Sequence, residues 1–223
     1  ISPASVEGAI KEDDPHHASS RLLCLENTVG GKAISLEKME DVSKTARKNS
    51  LSIHLDGARF FNAITELNCK PEELANCADS VSVCLSKGLG TPLGTVLVGS
   101  SKFIQKARRN RKILGGSMRQ VGIVAAAGHY ALDNNISRLV EDHNRAKFLA
   151  NELREMNIGH VDSGTNMVFF TPKDGHADNL RLHLEKYGVK IGDQNPSIRM
   201  VLHRDVSDEG LDKAIAGFKS FYQ

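Results

Sequence analysis

The stretch SVSVCLSKGLGTPLG (80–94) contains an apolar, strand-like run that ends at Lys87 and a glycine-rich turn. A lysine at the mouth of a buried strand is costly, because its ammonium group must lose water or find a partner. HLDGARFFNA (54–63) ends in a similar way, with Asp56 followed by Gly57. If the two strands are neighbours, these side chains converge on one crevice, as either a structural salt bridge or a functional pair.

Strand-like and helical patterns alternate in the first half of the chain. Strands are predicted at 21–27, 51–56, 80–85 and 94–99. Helices are predicted at 35–49, capped by Ser35, and at 71–78, with Pro71 in the first turn. This order favours an α/β fold with a mostly parallel sheet, in which ligands sit beyond the carboxyl ends of the strands.

The second half is predicted to be helical first and then to form a small α+β unit. The helical patterns cover 101–114, 121–135 and 136–157. The small unit is predicted to contain strands at 165–170, 189–192 and 197–203, a helix near 177–187 and a closing helix from Ser207. We therefore predict two domains, 1–140 and 141–223.

Composition narrows the functional classes. The 223 residues are 40% hydrophobic and 25% charged, which is typical of a globular protein and not of a disordered or fibrous one. The net charge of +2 is too small to indicate a nucleic-acid or membrane partner. Four cysteines without a CxxC pair predict buried, reduced thiols of an intracellular protein and no metal site. The chain opens at Ile1, so we expect the true N-terminus to lie upstream.

Three motifs together resemble the low-specificity threonine aldolases, which are fold-type-I enzymes dependent on pyridoxal 5'-phosphate. They are HLDGAR (54–59), SVCLSKGLGTPLG (82–94) and RKILGGSMRQVGIVAAAGHYAL (111–132). The resemblance runs from LLCLENT (22–28) to IRMVLHRDVS (198–207). It implies that 1–140 is the C-terminal portion of the large cofactor-binding domain and that 141–223 is the small C-terminal α+β domain.

The resemblance implies that Lys87 forms the Schiff base with the cofactor. A partly desolvated lysine amine is a nucleophile toward an aldehyde. Ser86 would then donate its hydroxyl to the cofactor phosphate. Asp56 would pair with the pyridinium nitrogen, and a protonated ring acts as the electron sink for the carbanion released on bond cleavage.

The resemblance also assigns roles to arginines. Arg59 matches an arginine near the cofactor or substrate, with a surface arginine as the alternative. Arg199 matches the arginine that grips the substrate carboxylate, for which a planar guanidinium is suited. Arg119, with Lys112 as a further candidate, would hold a cofactor phosphate, which could belong to a neighbouring subunit. The basic stretch 109–120 lacks interleaved aromatic residues, so we favour this interpretation over nucleic-acid binding.

The sequence identifies the base that accepts the substrate hydroxyl proton less clearly than it identifies the other roles. His16 lies where a family histidine would fall, although His17, an ordered water or a merely solvated loop histidine are alternatives. His54 is expected to be packed or hydrogen-bonded rather than catalytic. Of the residues that end the first strand, Asn27 and Thr28 are expected to line the crevice, and Glu26 to point to the opposite face.

The implied reaction is cleavage of L-threonine or L-allo-threonine into glycine and acetaldehyde. Alternatives are an aminotransferase or β-lyase with the same cofactor, or an inactive fragment that serves as an assembly partner. The family's phosphate-cradling stretch and ring-stacking histidine precede this segment, so we expect the isolated chain to be inactive. The resemblance further implies a homotetramer; a cytoplasmic location is expected, with a mitochondrial one left open.

Overall fold

The computed structural model describes residues 1–173, 175–193 and 197–223. Its contacts divide the chain into two compact units. The first unit contains Ile1–Val29 and Ala33–Ile136, and the second contains Gly30–Lys32 and Ser137–Gln223. A three-residue segment near the end of the first strand is therefore part of the second unit.

The first unit is a four-stranded sheet with its helices. The strands are β1 (Leu22–Glu26), β2 (Ser52–Gly57), β3 (Ser80–Cys84) and β4 (Thr95–Gly99). The helices are α1 (Pro3–Ala9), α2 (Leu36–Lys48), α3 (Phe60–Leu67), α4 (Pro71–Ala75), α5 (Ser101–Ile113) and α6 (Gly122–Asn134). The sheet order is β1-β2-β3-β4, with β1 to β3 parallel and β4 antiparallel to β3. The predicted mostly parallel sheet is confirmed.

Local sequence explains where the helices of this unit begin. The Ser35 hydroxyl accepts a hydrogen bond from the Lys38 N–H and caps α2, and Pro71 lies in the first turn of α4. The core lies between α2, α3, α4 and one face of the parallel strands, where burial of an aliphatic side chain contributes about 1.5–3 kcal/mol. Its most deeply buried members are Met39, Ala46, Ile53, Leu55, Ala63 and Leu74.

The second unit packs three helices on an antiparallel sheet. Its strands are β5 (Gly159–Gly164), β6 (Met167–Pro172) and β7 (Ile198–Val201), in the order β5-β6-β7. Its helices are α7 (Leu139–Glu155), α8 (Ala177–Glu185) and α9 (Asp208–Tyr222). The rings of Phe170 and Phe218 meet edge to face at 5.6 Å in the centre of the core.

The strand predicted at 189–192 is wrong. These residues follow the C-terminal cap of α8. In this cap Gly188 has a φ of 72°, and the Val189 N–H donates to the Leu184 carbonyl oxygen. This is the geometry in which a glycine just beyond a helix lets the next apolar residues fold back onto it. Val189 and Ile191 accordingly pack against the core of the second unit.

Three of the four cysteines differ from the prediction that they are buried. Only Cys77 is buried; Cys69 and Cys84 are half-buried, and Cys24 is exposed on β1. The apolar run around Cys24 predicts burial, but alternate residues of a strand face opposite sides, and Cys24 lies on the exposed side. All four thiols are free.

Helices α5 and α6 form the least covered surface of the first unit. α5 has no buried residue, and α6 buries only Gly128 and Ala131. We call the exposed apolar side chains on and between these helices the α5–α6 surface: Ile113, Leu114, Met118, Val121, Ile123 and Tyr130. None of the helices in the described ranges has the length and apolarity needed to cross a membrane.

The segment Gly30–Lys32 is fastened to β5 and β6 by close contacts. The Thr165 hydroxyl donates to the Gly31 carbonyl oxygen at 2.8 Å, and the Lys32 ammonium lies 2.6 Å from an Asp162 carboxylate oxygen. The backbones approach so closely that a Cβ on Gly164 would lie 2.7 Å from the Gly31 oxygen. The hydrogen bond from Lys32 is the main reason why the pKa of Asp162 is lowered.

We predict that Lys32→Met raises the pKa of Asp162 toward its ordinary value and removes a small, pH-dependent part of the stability. A carboxyl with a lowered folded-state pKa stabilises above its unfolded-state pKa, and this contribution is lost as pH falls through the folded-state value. Because both groups are partly exposed, we expect less than about 1 kcal/mol. Carboxyl titration by NMR and urea unfolding at neutral and acidic pH measure both effects.

The matched control is Lys44→Met, which removes two looser ion pairs of α2, to Glu40 and Asp41, each with an N–O distance of 3.6 Å. It should leave the Asp162 titration unchanged. An Asp162 carboxyl that titrates identically in Lys32→Met and in the parent protein would contradict the prediction.

Candidate active site

Asp56 lies at the carboxyl end of β2, the middle one of the three parallel strands. It pairs in register with Glu26 on β1 and with Ser82 on β3, and its side chain is exposed. One carboxylate oxygen accepts the Ala58 N–H at 2.9 Å, which fixes the side chain over the turn. Gly57 is required here, because a Cβ at that position would lie 2.8 Å from the Ser82 carbonyl oxygen.

Lys87 follows β3 at the same edge of the sheet. It is exposed and sits in a turn in which the Gly90 N–H donates to the Lys87 carbonyl oxygen at 2.9 Å. Gly90 has a φ of 73°, which favours glycine. Since β2 and β3 are adjacent and parallel, the turns that carry Asp56 and Lys87 emerge side by side. The partial desolvation expected for Lys87 is not present, because the side chain is exposed.

A remote asparagine supports the Lys87 turn. The Asn135 side-chain amide, at the end of α6, donates to the Leu89 carbonyl oxygen at 2.7 Å, and both residues are buried. The turn is closed further by the Thr91 N–H, which donates to the Leu85 carbonyl oxygen at 3.1 Å. The backbone that carries Lys87 is therefore held in place while its side chain stays accessible. Nothing in the local sequence indicates that Asn135 reaches this turn.

A cavity of about 470 Å³ opens beside Asp56. Glu26 and Cys24 of β1 line it together with Asp56. The expectation that Glu26 points to the opposite face is wrong, because the parallel register places Glu26 beside Asp56 and exposes both side chains. A second cavity, of about 300 Å³, lies between α3, α4 and β4. Its lining side chains are more apolar than those of the first cavity, and the one charged residue among them is Glu72.

Asn27 and Thr28 follow β1 at the same edge, and both are buried. The Asn27 side chain exchanges two hydrogen bonds of 3.0 Å with the backbone of Ile34, and its N–H donates to the Asp56 carbonyl oxygen. The Thr28 hydroxyl is buried and has no hydrogen-bond partner among the described residues. Such an unsatisfied group costs about 1–3 kcal/mol, so a partner for it would be stabilising.

The other residues predicted to bind the cofactor lie on several elements. Ser86 is exposed next to Lys87, and Arg59 is half-buried at the start of α3. Arg119 is exposed in the turn between α5 and α6, and Lys112 is exposed on α5. The structure records no hydrogen bond or ion pair of Arg119 with another described residue, so its role stays a prediction.

Two of the residues predicted to act on the substrate, His16 and Arg199, lie outside β1, β2 and β3. His16 is exposed, and its Nδ1 atom lies 2.8 Å from an Asp14 carboxylate oxygen. His17 is also exposed, whereas the ring of His54 is half-buried and hydrogen-bonded to the Ser80 hydroxyl at 2.8 Å. Arg199 belongs to the second unit, on the exposed face of β7.

The residues at the carboxyl edge suit pyridoxal phosphate. An accessible carboxylate lies at the carboxyl end of β2, and an accessible primary amine lies on the turn that follows the adjacent parallel strand β3. The neighbouring cavity falls within the roughly 300–1,000 Å³ typical of small-molecule sites. A primary amine can bind a carbonyl group, and a carboxylate can accept the proton of a ring nitrogen; pyridoxal phosphate carries both partner groups.

Comparison with known proteins gives a consistent family. A family model described as beta-eliminating lyase matches residues 1–174. The low-specificity L-threonine aldolase of Escherichia coli K12 is 43% identical over 212 residues, which cover 95% of this chain and 63% of the relative. Low-specificity L-threonine aldolase 1 of Arabidopsis thaliana is 41% identical, covering 96% of this chain and 63% of the relative. The chain thus spans slightly less than two thirds of the length of these relatives.

Solved structures share the architecture at low sequence identity. Leishmania major threonine aldolase superposes with a TM-score of 0.87 at 17% identity, covering all of this chain and 68% of its own. Sphingosine-1-phosphate lyase of Burkholderia pseudomallei superposes with a TM-score of 0.72 at 16% identity, covering 99% of this chain and 54% of its own. These likenesses confirm the predicted α/β fold of the fold-type-I enzymes.

We predict that Asn135→Ala lowers the free energy of unfolding by about 1–3 kcal/mol, because it leaves the buried Leu89 carbonyl oxygen without its donor. The adjacent variant Asn134→Ala is the control, since that side chain is exposed and bonds the Tyr130 carbonyl oxygen of its own helix. Its effect should stay within about 0.5 kcal/mol. Urea unfolding compares the two, and equal losses would show that the Leu89 contact has no special weight.

Proposed function

Since the chain belongs to the beta-eliminating lyase family, we propose that the protein containing it cleaves L-threonine or L-allo-threonine into glycine and acetaldehyde with pyridoxal phosphate. Enzymes of this family depend on that cofactor. The observation that carries the proposal is the identity, across nearly the whole chain, to relatives named low-specificity L-threonine aldolase. The accessible amine and carboxylate at one edge of the sheet supply the matching chemistry.

Lys87 and Asp56 would hold the two ends of the reacting part of the cofactor. The Lys87 amine is accessible to a carbonyl carbon, and the turn behind it is fixed by hydrogen bonds. The free oxygen of the Asp56 carboxylate would accept the proton of the ring nitrogen, because the other oxygen is engaged by Ala58. When bound, the cofactor supplies an electron sink for the bond between Cα and Cβ. Asp56 contributes by keeping a positive charge at the ring nitrogen.

His16 would accept the proton of the substrate hydroxyl. Hydrogen bonds from His16, first from its backbone N–H and then from its ring, lower the pKa of Asp14. Asp14 is therefore ionised at neutral pH and favours the tautomer with the proton on Nδ1. The Nε2 atom is then left as the base. His17 is the alternative base in the same loop.

The substrate carboxylate and the cofactor phosphate would be bound by arginines. Arg199 projects from the exposed face of β7, between buried Ile198 and Met200, so its guanidinium can bind a carboxylate through two hydrogen bonds. Ser86 and Arg119 would bind the phosphate, and Arg59 the cofactor or substrate near Asp56. Half-burial of Arg59 at the start of α3 supports a role other than that of a freely solvated residue.

A β-lyase reaction is the second candidate. The description of the matching family model, beta-eliminating lyase, favours it. Both reactions need Lys87 and Asp56 and differ in the bond that breaks. Acetaldehyde identifies the aldolase, and a keto acid with free ammonia identifies the β-lyase. A keto acid formed together with a second amino acid, from an added acceptor keto acid, identifies an aminotransferase.

We further propose a homotetramer in the cytoplasm. The α5–α6 surface supports self-association, because Leu114 and Ile123 are 84% and 85% exposed and apolar. The four free cysteines support a reducing compartment, which the mitochondrial matrix would also satisfy.

We predict that Lys87→Ala in the full-length protein abolishes the visible absorbance of bound pyridoxal phosphate and acetaldehyde production from threonine. The amine that binds the cofactor carbonyl is removed, so activity should fall at least about a thousandfold. Absorbance spectra and a coupled acetaldehyde assay measure the two effects.

Lys102→Ala is the matched control, since this exposed lysine begins α5 away from the carboxyl edge. It should retain parental absorbance and activity. Full activity in Lys87→Ala, or parental protein that produces no acetaldehyde, would refute the assignment.

We predict that Ile123→Asp shifts the protein to smaller assemblies, because a charge on an apolar contact surface must be desolvated on association. Sedimentation velocity compares the variant with parental protein. The control is Leu182→Asp, at another exposed apolar position, on α8. Parental protein that sediments as a monomer would contradict the proposed assembly.

A further inference from the structure

Glu26 and Asp56 occupy paired positions at the carboxyl ends of β1 and β2. Residues paired in parallel strands project from the same face, and neighbouring strands lie about 4.8 Å apart. Burial agrees with this placement, because Glu26 and Asp56 are exposed while the preceding Leu25 and Leu55 are buried. The two carboxylates therefore stand side by side on one face of the sheet.

Both carboxylates line the cavity of about 470 Å³ at this edge. The other polar and titratable side chains that line it are those of Cys24 on β1 and Lys38 on α2, and the chain's first residue, Ile1, also contributes. His54 is paired with Cys24 in the register, but its ring is engaged by Ser80. A ligand in this cavity would thus meet two carboxylates from adjacent strands.

The charge of Glu26 is not compensated by any contact that the structure records in the described part of the chain. Among residues 1–173, 175–193 and 197–223, the structure records no hydrogen bond or ion pair for its carboxylate. Asp56 has one, to its own turn. The four residues of β1 before Glu26, LLCL, are apolar and offer no partner for its charged side chain. An exposed, unpaired carboxylate beside a ligand cavity is available to a cationic group of the ligand.

A second unsatisfied polar group lies at the same edge, although it does not line the cavity. The Thr28 hydroxyl, two residues after Glu26, belongs to a residue only 4% exposed and has no hydrogen-bond partner among the described residues. The preceding residue, Asn27, donates its N–H to the Asp56 carbonyl oxygen at 3.2 Å, which keeps Thr28 close to the Asp56 backbone. The end of β1 thus carries an unpaired charge and an unsatisfied hydroxyl next to Asp56.

We propose that Glu26 is a positioning residue that acts with Asp56 to keep the ring nitrogen of bound pyridoxal phosphate protonated. This inference rests on the proposed cofactor site and extends it from β2 and β3 to β1. Asp56 contacts the nitrogen, and Glu26 adds a second negative charge from the neighbouring strand. The effect is electrostatic: a positive nitrogen is stabilised relative to a neutral one, and no bond to Glu26 forms or breaks.

The test uses the full-length protein loaded with pyridoxal phosphate labelled with ¹⁵N in the ring. Nitrogen NMR follows the pH at which the ring nitrogen loses its proton. In Glu26→Gln we expect this midpoint to fall by about 0.5–1 pH unit, which is about a three- to tenfold loss of proton affinity. We expect a comparable rise in the dissociation constant of the cofactor.

Two further variants distinguish charge from shape. Glu26→Asp keeps the charge and should retain a midpoint close to the parental one. Glu155→Gln removes an exposed glutamate at the end of α7 and should change neither quantity. Circular dichroism shows whether each variant is folded.

The outcomes separate this inference from the proposed function. If parental protein binds the cofactor and Glu26→Gln has parental midpoint and affinity, the inference is overturned while the cofactor site stands. If Glu26→Asp behaves like Glu26→Gln, charge is not the cause and the inference is likewise overturned. If parental protein binds no pyridoxal phosphate, the proposed function fails and this inference fails with it.

Discussion

The parallel pairing of β1, β2 and β3 is the interaction on which the rest of the first unit depends. Its register buries Ile53 and Leu55 against α2 and α4 and leaves Asp56 on the opposite, exposed face. A slip of one residue would exchange these faces, so the apolar side chains that stabilise the sheet also orient the carboxylate. Because all three strands are parallel, their ends meet at one edge, where the reactive groups are collected.

The Asp56 and Lys87 side chains at this edge are accessible, whereas hydrogen bonds hold the backbone of the Lys87 turn. Asn135 donates to the Leu89 carbonyl oxygen behind the Lys87 turn, and the Ala58 N–H holds the Asp56 carboxylate. These hydrogen bonds order the backbone behind Lys87 and the carboxylate of Asp56. Such preorganisation reduces the ordering that binding would otherwise require. Thr28 at the same edge lowers the stability, because its buried hydroxyl has no hydrogen-bond partner among the described residues.

Much of the fold was predictable because the elements have clear periodicity and end signals. The four strands of the first sheet, and helices such as α2 with its serine cap, follow directly from these patterns. β5 was missed because GHVDSG has little apolar alternation and is ordered by pairing with β6. The false strand at 189–192 has the opposite cause: Val189 and Ile191 alternate as in a strand, yet they cover the end of a helix.

The candidate site shows the same division. The sequence alone determined that Asp56 lies at the end of a strand and Lys87 just beyond one, each next to glycines, since strand period and turn residues are local properties. Only the tertiary structure decided which face Glu26 occupies, which cysteines are exposed and that Asn135 supports a turn 46 residues earlier. These features depend on register and on contacts between distant segments. Local patterns do not specify them, because pairing is chosen by the free energy of the whole sheet and its core.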